Sequence, residues 1–193
     1  YENFKRFNIS ATRMQMPTVP EEIFIDGMKA LVKLDRNWIP SMPDHSLYIR
    51  PFMFATDAVL GVKPSDTYKF MIILSPTGPY FSTPMRIFVE EKYTRAVTGG
   101  VGYSKNAGNY GSSMYPTNLA KEMGYDQVLW TDAFEHKYLQ EVGMLNVFFI
   151  VFYEFKKHFS FFKSIFVYKN INSCIREKIL YFLHQRRNQQ QIP

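Results

Sequence analysis

The chain has 193 residues, 46% of them hydrophobic, which is enough to bury one large core or two small ones and excludes disorder as the default. Its single cysteine, Cys174, excludes an internal disulfide framework, and its longest apolar run, Met144 to Tyr153, is about half of what a membrane-spanning helix needs. The net charge of +6 misleads as a sign of nucleic acid, because residues 1–153 hold fifteen basic and fifteen acidic side chains and residues 154–193 hold eight and two.

Thr18-Val-Pro20-Glu21-Glu22 has the capping hydroxyl, early proline and acids of a helix start, and Ile23, Met28, Leu31 and Leu34 follow at roughly helical spacing. Ser46 to Phe54 reads as a strand with Leu47, Ile49 and Met53 on one face and Tyr48, Arg50, Phe52 and Phe54 on the other. Tyr48 and Arg50 are therefore expected to point the same way. Tyr68 to Leu74 reads as a buried strand, and the three prolines and one glycine of Ser75 to Pro84 mark a loop and domain boundary. Met85 to Glu90 is a further strand. A helix is expected from Ser112 or Ser113 to Met123, stopped by Gly124, followed by strands at Gln127 to Thr131, Tyr138 to Glu141 and Met144 to Phe152.

Between the third strand and the second helix lies Gly99-Gly-Val-Gly102-Tyr-Ser-Lys105-Asn-Ala-Gly108-Asn109-Tyr110-Gly111. A phosphate-binding P-loop needs Gly-Lys-Ser/Thr, and Lys105 stands between Ser104 and Asn106. A dinucleotide fingerprint fails as well, because Lys105 occupies the place of its third glycine. Ser104 lacks the closing glycine of a nucleophile elbow, and His45, His136, His158 and His184 have no metal-ligand spacing, so no metal site is expected. Two readings stay open: a solvated loop lysine beside turn glycines, or an amine given bare backbone so that a flat covalent cofactor such as pyridoxal phosphate can approach it.

Arg95-Ala-Val-Thr-Gly-Gly-Val-Gly-Tyr-Ser-Lys105-Asn-Ala-Gly-Asn-Tyr110-Gly, then Gln127-Val-Leu-Trp130 and Glu141-Val-Gly143-Met-Leu-Asn146-Val-Phe148, resembles branched-chain amino acid aminotransferase, a class-IV, fold-type-IV pyridoxal phosphate enzyme. Upstream, Ser46-Leu-Tyr48-Ile-Arg50-Pro51 extends the resemblance, which covers most of residues 1–149. It implies an α/β (α+β) fold: a partial small domain over 1–82, a truncated barrel-like cofactor domain over 83–153, and a basic aromatic tail over 154–193 unrelated to the family. Lys105 is implied as the lysine that carries pyridoxal 5'-phosphate and the base of the reaction, Glu141 as partner of the ring nitrogen, and Tyr110 as partner of the phenolic oxygen. Arg95 is implied as a further cofactor contact, and Tyr48 and Arg50 as substrate residues, with Arg50 drawing in a carboxylate.

The implied activity is amino transfer from leucine, isoleucine or valine to 2-oxoglutarate, in a cytoplasmic homodimer with no nucleic-acid partner and no membrane span. The alternatives are a catalytically inactive piece of such an enzyme with a non-native tail, D-amino acid aminotransferase, or aminodeoxychorismate lyase. The resemblance also implies that a whole family member continues at both ends, and nothing from about Ile150 onward matches it.

Overall fold

The computed structural model describes residues 1–79, 84–143, 145, 147, 150–152 and 165–167. The chain divides into two compact units, one of Tyr1–Pro84 with Gly99–Tyr110 and one of Met85–Thr98 with Gly111–Pro193.

In the first unit, helix α1 spans Glu2–Arg13. The sequence reading passes over this helix. Its Phe4, Phe7 and Ala11 lie at i, i+3 and i+7 and so share one face. Phe24 is the hub of the core they meet, with ring centroids 5.5 Å from Phe4, 5.4 Å from Phe7 and 5.7 Å from Phe70. Such pairs contribute about 0.5–1.5 kcal/mol each beyond area burial. Asn8 closes the other side of α1: its amide donates to the Val19 carbonyl at 3.0 Å and accepts the Val19 N–H at 2.9 Å.

The expected second helix is present, with a π turn at Glu22–Asp26 leading into α2, Gly27–Leu34. Its buried residue is Phe24, 2% exposed, whereas Ile23 and Leu34 stand 55% and 79% exposed. The wider π turn changes the phase of the apolar stripe, so a uniform helical spacing assigns the wrong inward face. No side-chain cap is formed at its start.

Strands β1, Ser46–Ala55, and β2, Tyr68–Thr77, pair antiparallel from Ser46↔Thr77 to Ala55↔Tyr68. The second strand is not buried as expected: its residues alternate between half-buried and exposed, because the sheet has two strands and apolar packing on one face. It also runs three residues past Leu74 and takes in Pro76, while β1 contains Pro51. Each strand of a two-stranded sheet is an edge, where proline is tolerated.

The second unit holds β3, Ile87–Val89, parallel to β4, Gln127–Thr131, which is antiparallel to β5, Leu139–Val142. Between β3 and β4 the chain forms α3, Ala107–Glu122. Val128 and Trp130 pack with Ala120 of α3 on one face of β4, and Leu129 packs with Leu139 and Val142 on the other. Both faces of β4 are therefore buried. Gly124, at φ 84°, ends α3 as expected: its N–H reaches the Lys121 carbonyl and the Tyr125 N–H reaches that of Ala120, a Schellman pair.

The turn from β4 to β5 is organised by Asp132, whose carboxylate accepts the backbone N–H groups of Phe134, Glu135, Lys137 and Tyr138 at 2.8–3.2 Å. Burial opposes its charge, but these four donors outweigh burial and hold its pKa at about 2. β6, Ile150–Phe152, pairs antiparallel with β7, Ile165–Val167. The rest of the expected strand from Met144, and the rest of the tail from Glu154, lie outside the described residues apart from 145 and 147, as do Asn146 and Phe148. Among the described residues no helix is long and apolar enough to cross a membrane, and no three His, Cys, Asp or Glu side chains are grouped to hold a metal ion.

Candidate active site

The glycine-rich segment leads directly into α3, which starts five residues earlier than the serines suggest. Asn106 is its cap: Asn106 Oδ1 accepts the Asn109 N–H at 3.2 Å, the N3 position of the helix. Lys105 therefore occupies the residue just before the cap. The Asn109 side chain turns back and donates to the Val101 and Ser104 carbonyls at 2.9 and 2.6 Å, tying the loop to the helix it precedes. Gly99 has φ 80°, a conformation that disfavours side chains. At Gly99 and at Gly111 a Cβ would meet no atom within 4 Å, so bare backbone faces open space on both sides of Lys105 in the sequence.

The Lys105 side chain is exposed, and its Nζ donates to the Tyr110 hydroxyl at 2.5 Å while standing 5.1 Å from the centroid of that ring. One turn of chain thus delivers an amine and a phenol to each other. Ser104, beside them, is 2% exposed, and its hydroxyl meets no hydrogen-bond partner among the described residues. An accessible amine next to a hydroxyl that can take or give a proton is the equipment of a nucleophilic lysine.

Tyr48 and Arg50 do share a face of β1: Arg50 Nη2 donates to the Tyr48 hydroxyl at 3.1 Å, and the guanidinium lies 5.1 Å from the ring centroid. Both are exposed. In the second unit, Arg95 Nε stands 2.6 Å from Glu141 Oε1 as an ion pair, without the alignment of a hydrogen bond. The six residues singled out in the sequence thus form three pairs, each within one unit: Lys105 with Tyr110, Tyr48 with Arg50, and Arg95 with Glu141.

Two residues after Glu141, Gly143 has φ 48° and donates its N–H to the Val128 carbonyl at 2.7 Å, while a Cβ there would overlap the Gln127 side-chain amide. The glycine holds the strand end that carries Glu141. Sequence reasoning missed Ser10, Asn106 and Asn109, all of which act on the lysine loop through backbone groups. An asparagine two residues before a glycine-broken helix start was the one local signal for a cap, and nothing local signals Ser10.

No family model matches the chain. Over 154 residues, 78% of this chain, it is 51% identical to branched-chain-amino-acid transaminase 1 of Bacillus subtilis (strain 168), covering 43% of that protein. The chain is a sequence relative of the branched-chain-amino-acid aminotransferases. It is also 52% identical over 153 residues to the probable branched-chain-amino-acid aminotransferase of Staphylococcus aureus (strain MRSA252), again covering 43% of it. The chain spans less than half the length of these curated relatives. The structure agrees: a crystallised bacterial-type relative, the T.th. branched-chain amino acid aminotransferase, superimposes with a TM-score of 0.61 at 28% identity, over 77% of this chain and 47% of that one. The same T.th. protein has been crystallised in complex with N-(5'-phosphopyridoxyl)-L-glutamate, and that structure matches at 0.60. The expected fold, a partial α/β structure of fold type IV, is thereby shown.

Proposed function

We propose that the chain is the lysine-bearing part of a pyridoxal 5'-phosphate-dependent branched-chain amino acid aminotransferase, moving the amino group of leucine, isoleucine or valine to 2-oxoglutarate, in a cytoplasmic homodimer. The observation that carries this reading is the Lys105 amine held 2.5 Å from the Tyr110 hydroxyl within a glycine-rich segment. The residues fit the cofactor: the amine is exposed, Gly99 and Gly111 leave open space, and the buried Ser104 hydroxyl has unused hydrogen-bonding capacity. When bound, pyridoxal phosphate supplies a carbonyl carbon for amines and a ring that accepts electrons.

Lys105 Nζ is the nucleophile for that carbonyl and, as a neutral amine, the base that takes the proton from the substrate Cα. Tyr110 steadies the amine while it is free and is placed to hydrogen-bond the ring oxygen of the cofactor. Glu141 is assigned to the ring nitrogen, with Arg95 fixing the carboxylate through the 2.6 Å ion pair. Arg50 and Tyr48 are assigned to the substrate, the guanidinium attracting a carboxylate and the phenol limiting its swing. An apolar side-chain pocket separates leucine, isoleucine and valine by only about 1–3 kcal/mol per methylene, so one enzyme serves all three.

The test is to mix the purified chain with pyridoxal phosphate and record its visible absorbance. A lysine-bound cofactor band that disappears in Lys105→Ala, with borohydride fixing the label on the Lys105 peptide, is expected. A folded chain that gives no band sinks the reading, and turnover of leucine with 2-oxoglutarate measures whether this length of chain is competent.

A further inference from the structure

The exposed amine of Lys105 grows from a backbone that is held on both sides. Its own N–H donates to Ser10 Oγ at 2.9 Å, across 95 positions of sequence, and Ser10 is 6% exposed. The carbonyl of the same peptide unit, that of Ser104, accepts from the side chains of Asn109 at 2.6 Å and Asn106 at 3.3 Å. A peptide unit is planar, so fixing its carbonyl at one end and its N–H at the other fixes the plane itself, and with it the direction in which the Lys105 Cα–Cβ bond leaves.

Ser10 is well suited to its end of this clamp. A hydroxyl has one proton and two lone pairs. The Ser10 proton is committed to the Arg6 carbonyl at 2.9 Å, one turn back along α1, so a lone pair is left for the Lys105 N–H. Three residues further along the same helix, Arg13 donates to the Gly99 carbonyl at 3.3 Å. α1 therefore grips the first glycine of the loop and the lysine at its end.

We infer that Ser10 is a positioning residue for Lys105: by accepting the lysine's N–H it aims the amine, although its own side chain touches neither amine nor cofactor. This rests on the proposed role of Lys105 as the cofactor lysine. Asn109 and Asn106 hold the opposite side of the peptide but belong to the loop and its helix, whereas Ser10 ties the lysine to a separate element. Loss of the hydroxyl frees rotation of the peptide plane and spreads the amine over more directions. The fraction of time it spends aligned for attack falls.

The experiment uses the full chain with Ser10→Ala, the hydroxyl-retaining Ser10→Thr, and Ser10→Cys, a near-isosteric weak acceptor should the alanine variant not fold. Val19→Ala, which loses apolar burial beside the same helix, controls for general destabilisation. Two quantities are read: the exchange rate of the Lys105 backbone amide without cofactor, and the initial rate at which pyridoxal phosphate is trapped by borohydride on Lys105 relative to exposed Lys29. In Ser10→Ala, amide exchange should rise and relative trapping fall, each about tenfold for the loss of one hydrogen bond. Ser10→Thr should restore both, Ser10→Cys should lie between, and Val19→Ala should leave the trapping ratio as in the unaltered chain. Unchanged trapping in Ser10→Ala or Ser10→Cys, or an equal fall in Val19→Ala, overturns the positioning role alone. Equal labelling of Lys105 and Lys29 in the unaltered chain overturns the functional reading, and the inference with it.

Discussion

Gly143 combines a positive φ with a side-chain neighbour already occupying the space of a Cβ. The two obstacles differ in kind. The Gln127 amide is the end of a flexible side chain and can swing aside, whereas the left-handed backbone is a property of the strand end. Gly143→Ala is therefore expected to lower stability by about 1–2 kcal/mol through backbone strain. Gln127→Ala in the same chain should recover little of it. Urea unfolding of the single and double variants checks this; full recovery in the double variant would show that the contact, not φ, sets the cost. Residue-scale chemistry was legible where type and spacing suffice, as for Lys105 with Tyr110 five positions on. It was not legible at Ser10, because a hydrogen bond spanning 95 positions leaves no local pattern.

At the scale of elements, the β4–β5 turn ties local structure to pH. The Asp132 carboxyl sits at about 2, against about 4 for an unfolded aspartate. Its folded pKa is lowered, so its stabilisation is complete above about pH 4 and is lost as pH falls toward 2. The melting temperature of Asp132→Asn should lie below that of the unaltered chain at pH 6, and the gap should close between pH 4 and pH 2. A gap independent of pH would assign the turn's stability to shape instead of charge. Strands were legible because alternation survives in β1, and β4 reads as a short apolar run. Helices were less so. α1 carries only Phe4, Phe7 and Ala11 on its inward face amid polar residues, and the start of α3 is hidden by Gly108 and Gly111, poor helix formers that the Asn106 cap overrides.

Across the whole chain, charge and family likeness divide differently. The excess of positive charge belongs to residues 154–193, and residues 1–153 balance. A chain ending at Tyr153 is expected to pass through a cation-exchange column at pH 7 that retains the full chain, retention falling with salt. Equal retention of the two would mean that basic side chains of residues 1–153 gather on one surface. The architecture also explains why a strand pair ten residues long can remain unaccompanied. Both strands of β1–β2 have an outer margin, and each carries a proline, Pro51 in one and Pro76 in the other. An incoming extended segment finds a missing donor part-way along either side, so fibril-like stacking is interrupted before it can propagate.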